Sequence, residues 1–86
     1  MINADLKAIT RDVSERLEPR QNGLKLRIEG EKTYASDVTV YVFVDIVDGG
    51  GKNSLDILNL FESVEKETSK RFSVDVMILP EPPEIQ

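Results

Sequence analysis

The chain has 86 residues, 40% of them hydrophobic and 31% charged, with a net charge of −5. That is enough for one domain with a two-layer core, and too apolar for a disordered chain. It contains no cysteine and no histidine, which excludes disulfides, thiolate chemistry, the commonest general base and the commonest transition-metal ligands.

The acidic balance has the wrong sign for gripping a phosphate backbone by counterion release, so nucleic acid is not an expected partner. No apolar run approaches the ~20 residues needed to span a bilayer. The start, "MINADLKAIT", lacks a basic segment followed by an apolar block, so the expected compartment is cytoplasmic.

Leu6, Ile9, Val13 and Leu17 recur at helical spacing and predict a first helix over Ala4–Glu18, capped by Asn3 and stopped by Pro19. Asp12 and Arg16 fall four apart on it. The run "QNG" is a turn signal, and "LKLRIE" (24–29) alternates apolar with charged, as a strand buried on one face does. "GEKTYASD" reads as a polar connection. "VTVYVFVDIV" (38–47) follows as the strongest strand signal, with Val38, Val40, Val42, Val44 and Ile46 on one face.

After the glycines, Asn53 or Ser54 caps a second helix whose buried stripe is Leu58, Phe61, Val64 and Thr68, widened by Leu55, Ile57 and Leu60. Glu62–Lys66 and Glu67–Arg71 are i,i+4 pairs on its wet side. "FSVDVMIL" (72–79) alternates again, and Pro80, Pro82 and Pro83 end the pairing. The expected fold is a single α+β domain over 1–79 with a flexible Pro-rich tail over 80–86. Its order is α-β-β-α-β, a two-layer α/β sandwich with a three-stranded mixed sheet and both helices on one face.

The second half resembles the C-terminal cytoplasmic domain of cation diffusion facilitator transporters. The resemblance rests on "VTVYVFVDI", on "NLFESVEKETSKRF", and on the closing "VDVMILPEP" with Asp75, Val76, Ile78, Glu81 and Pro82 in place. It implies the α-β-β-α-β fold and a habit of forming homodimers. Leu79 stands where that family places a histidine, so its metal-binding part does not carry over and no cofactor is expected.

Two surfaces compete for a function. With helices on one face of the sheet, Arg27, Tyr41, Phe43, Val47, Met77 and Leu79 share the uncovered face, where a one-sided sheet normally shows polar residues. Aromatic and aliphatic residues there point to contact with a protein, self or heterologous. The second candidate is "DGGGKNS" (48–54), where Gly50, Gly51, Lys52 and Ser54 could hold an anion at a helix N-terminus. It misses the P-loop pattern, since Ile46 replaces the first glycine and Asn53 the Ser/Thr. Asp45, Asp48 and Asp56 surround the single lysine, and their spacing fits no EF-hand loop. No Ser–Lys or carboxylate spacing singles out a catalytic group. The expectation is therefore a non-enzymatic interaction module using the open sheet face, with an anion-binding regulatory domain as the alternative.

Overall fold

In the computed structural model, which describes residues 5–80, the first helix, α1, runs over Leu6–Leu17. Its cap is Asp5, whose Oδ1 accepts the Ala8 N–H at 3.1 Å; the expected cap, Asn3, lies outside the described residues. Ile9, Val13 and Leu17 are buried, and Leu6 packs at their margin. Pro19 falls inside a short 3-10 turn, Glu18–Arg20. Asn22 and Gly23, both at positive φ, then reverse the chain.

Four strands follow rather than three. β1 spans Lys25–Ile28, β2 Tyr34–Ala35, β3 Thr39–Asp48 and β4 Asp75–Pro80. β3 is the spine. β1 and β2 pair antiparallel with its two halves along one edge, and β4 pairs parallel along the other. Between Ile28↔Val44 and Tyr34↔Tyr41, five residues (29–33) stand against two (42–43). The surplus is taken up by a 3-10 turn at Gly30–Lys32. The sequence conceals β2 because two residues are too few to show alternation; the order is therefore α-β-β-β-α-β.

The second helix, α2, covers Ser54–Phe72. Asn53 caps it through Oδ1, which accepts the Asp56 N–H at 2.9 Å. Its buried line is Ile57, Phe61, Val64 and Thr68. Leu55 and Leu58 are instead more than half exposed. Apolar residues nearly fill positions 55–61, so periodicity left the angular position of the stripe open. The line that wins puts Phe61 between Ile57 and Val64. Val40, Val42 and Val44 of β3 are fully buried in one cluster with residues of both helices and with Val76 and Ile78 of β4. Both helices thus cover one face of the sheet. Val38, before the strand begins, is 73% exposed.

α1 and α2 are also joined by charge. Glu62 and Lys66 pair as expected, but Glu67 does not take Arg71. Its carboxylate accepts from Arg16 and Arg20, while Arg71 reaches across to Asp12. β4 begins after Phe72, which ends α2, and it includes Pro80. The Val76 and Ile78 N–H groups donate to Ser69 Oγ and Glu65 Oε2 of α2. That row of amides faces away from β3, and Pro80 is next in it, so its missing N–H costs the ladder nothing. The rest of the tail, 81–86, lies outside the described residues.

Candidate functional site

The face of the sheet turned from the helices gathers its side chains in rows fixed by strand register. Tyr34 of β2 lies opposite Tyr41 of β3, which lies opposite Met77 of β4. Phe43 is opposite Leu79, Asp45 opposite Arg27, and Thr39 opposite Asp75. The Tyr34 ring stacks on Tyr41 with centroids 5.0 Å apart and reaches Phe43 at 6.1 Å. Tyr34 is half exposed, Met77 is 41% exposed and Val47 59%. Tyr41, Phe43 and Leu79 are half-buried beside them. Of the six residues expected on this surface from sequence, register places Arg27, Tyr41, Phe43, Met77 and Leu79 together on the one face, and Val47 is exposed where β3 shifts register against β1.

The sequence missed Tyr34, the outermost ring of the cluster. It lies in what reads as a polar connector, and the one signal was a lone aromatic a few residues before the long strand. Missed too was the polar closure of one corner. Thr39 is buried, and its hydroxyl donates to Asp75 Oδ2 at 2.8 Å. Along the β1 side, the exposed Arg27 guanidinium donates to Asp45 Oδ2 at 2.6 Å and to Glu29 Oε1 at 3.2 Å. The Arg27 charge is therefore engaged by carboxylates, and it is the aromatic cluster that gives this face its chemical character. Stacked, partly desolvated rings beside a thioether and aliphatics suit a dry protein contact.

The glycine loop has a structural explanation of its own. Gly50 and Gly51 adopt φ of +59° and +77°. A Cβ on Gly50 would lie 2.7 Å from the backbone carbon of Gly23, so the loop packs directly on the turn that precedes β1. The Gly50 N–H donates to Asp48 Oδ1, and the Lys52 N–H to the Gly49 carbonyl, each at 2.9 Å. Two of the amides that an anion would use are thus spent within the loop, one on a carboxylate. Ser54 is the first residue of α2, immediately after its Asn53 cap.

Away from the sheet face, Asp12 is a buried carboxylate at the helix–helix seam. It accepts from Arg16 Nε at 2.7 Å, Thr68 Oγ1 at 2.8 Å and Arg71 Nη1. Burial pushes its carboxyl up, but the bonds from Arg16, Thr68 and Arg71 together outweigh that and hold it below the ordinary 3.8. With every neighbour committed to pairing, this cluster is a clasp between helices.

No family model matches the chain, and no curated protein matches it in sequence. Among solved structures, the metal-bound C-terminal domain of the CzcD transporter from Thermotoga maritima is similar over 100% of both chains, with a TM-score of 0.56 and 25% identity. The resemblance to a cation diffusion facilitator C-terminal domain is thus present in three dimensions as well as in sequence. The metal belongs to that domain. This chain has no histidine or cysteine, and no three Asp or Glu residues cluster to hold an ion among the described residues. Leu79, where the family's histidine would stand, is half-buried beside Phe43. The residues present do not fit such a metal. Among the described residues, no helix is long and apolar enough to cross a membrane.

Proposed function

We propose that this domain is a non-enzymatic, cytoplasmic interaction module that docks a protein through the open face of its sheet. The observation that carries this reading is the cluster of Tyr34, Tyr41 and Phe43 rings flanked by exposed Met77 and Val47. A sheet face that met only water would alternate to polar residues there, and large rings at the centre of a patch are what interfaces anchor on. The fold it shares with the C-terminal domain of a transporter supports the same reading, since that domain is one part of a larger protein.

The partner this face suits is a protein surface with an apolar centre, because Arg27 is already paired with both Glu29 and Asp45 at its border. Anion binding by the glycine loop is the weaker reading, given that Asp48 holds the Gly50 amide. The test is affinity capture from native extract, with Tyr41→Lys/Phe43→Glu compared against wild type and Tyr34→Lys as a second, more exposed substitution. Loss of the same captured protein in both variants, with unchanged circular dichroism, supports the docking face. Capture that survives both substitutions rejects it.

A further inference from the structure

The two edges of the sheet are finished in opposite ways. Along β4, Ser69 and Glu65 accept the outward Val76 and Ile78 amides, and the next position is Pro80. No backbone donor is left there for an incoming strand. Along β1, the Glu29 N–H donates inward to the Phe43 carbonyl at 2.9 Å, so strand alternation turns the N–H and C=O groups of Leu26 and Ile28 outward. Nothing accepts from these two amides among the described residues. Beside this edge a groove of about 530 Å³ separates β1 from α1. Leu6 and Ile28 give it an apolar wall, and Ile28 is half-buried. Its rim is charged. Arg16, Arg20, Arg27 and Arg71 are each held by a carboxylate. Arg11, which lines the groove together with Lys7, is not, and neither cation has an ion-pair partner among the described residues.

We propose that the β1 edge takes up an extended segment of a partner protein as a further strand, with an apolar side chain opposite Ile28 and one carboxylate at a neighbouring groove-side position. Directly opposed residues of paired strands point to the same face. The residue opposite Ile28 therefore enters the groove beside Leu6, and the carboxylate faces the rim that Arg11 and Lys7 supply. The N–H and C=O groups of Leu26 and Ile28 meet the backbone of any extended segment, while the groove and its cations choose the side chains. Glu15 and Glu31 also line the groove, so a uniformly acidic segment would be repelled. A second copy of β1 does not fit, because its groove-side residues, Leu26 and Ile28, are packed on their own core and carry no carboxylate. This edge is separate from the aromatic face, and the inference goes beyond the docking reading without depending on it.

A phage-displayed library of random short peptides, panned against the folded full chain, tests it. The expected binders carry an apolar and an acidic residue separated by one position, and they shift the Leu26 and Ile28 amide resonances. Arg11→Glu should weaken them about tenfold, and changing the peptide's carboxylate to lysine should restore binding to that variant. N-methylation of a synthetic binder at an amide that meets β1 should abolish binding, whereas N-methylation at the next residue, whose amide faces away, should leave it intact. Tyr41→Lys/Phe43→Glu, with unchanged circular dichroism, should bind as wild type does. The proposal is overturned if no peptide is enriched, the outcome also expected where a second copy or the chain's own ends cover β1. Binders that ignore Arg11→Glu overturn it as well, as do binders lost with the folded Tyr41→Lys/Phe43→Glu variant, which would place them on the aromatic face.

Discussion

Asp12 shows how much a single buried carboxylate can hold. Thr68, on α2, is fully buried, and its hydroxyl has Asp12 as acceptor. Asp12→Ala would therefore leave a buried hydroxyl unpaired as well as release Arg16 and Arg71. Both arginines can reach water, which limits the loss, so the variant should unfold about 2–3 kcal/mol more easily in urea. The pH dependence has a definite sign. The folded-state carboxyl is held below its ordinary 3.8, so its contribution is present above that value and is lost as pH falls beneath it. Urea midpoints of wild type and Asp12→Ala should stay apart above 3.8 and draw together as pH falls below it. At Gly50 the reason for glycine is contact with the Gly23 backbone; Gly50→Ala should cost about 2 kcal/mol. Gly51, with positive φ but open space around its Cα, should cost roughly 1 kcal/mol when changed to alanine. Equal losses at the two positions would contradict the packing account.

At the scale of elements, what the sequence disclosed depended on length and on periodicity. The repeat of Ile9, Val13 and Leu17 in α1 and the alternation of Val40, Val42 and Val44 in β3 were legible because each spans several periods and buries one face. β2 was not, since its two residues carry no period, and Tyr34 was hidden with it. The rotation of α2 was open because Leu55, Ile57, Leu58 and Leu60 offer two stripes, decided by packing against β3 and β4. The sealed edge of β4 was equally unreadable, as Glu65 and Ser69 look like ordinary residues of a wet helix face. Burial raises the Glu65 carboxyl above its ordinary 4.5, with the Ile78 N–H bond opposing and Glu62 and Asp75 adding repulsion. A raised folded-state value means that the Glu65 contribution to stability is greatest below 4.5 and falls as pH climbs through the folded value. Glu65→Gln keeps an acceptor for the Ile78 amide and removes that charge, so it should flatten the fall of stability as pH rises above 4.5. Glu65→Ala should lose about 1 kcal/mol by unmaking the bond. At the other end of α2, Ser73 holds a left-handed conformation with φ of +55°. Ser73→Gly should stabilise the domain by about 0.5 kcal/mol, read as a higher thermal midpoint.

For the molecule as a whole, the seam between the helices is closed by ion pairs and the β4 edge by side chains of α2, whereas the aromatic sheet face is open. α1 and α2 are clasped by Asp12, Arg16, Arg20, Glu67 and Arg71, and Val40, Val42 and Val44 of β3 are fully buried beneath them. The likeness to a transporter's C-terminal domain lies in the scaffold, and this chain has neither histidine nor cysteine to hold a metal on it. The central claim, that a protein docks on the open face, is tested most directly by site-specific photo-crosslinking in the native cell. A photoreactive phenylalanine analogue is placed at Tyr34 or Val47 on the face, and at Leu58 or Lys66 on α2. One discrete protein adduct is expected from the two face positions and none from the two helix positions. Adducts from α2 with a silent sheet face would contradict it.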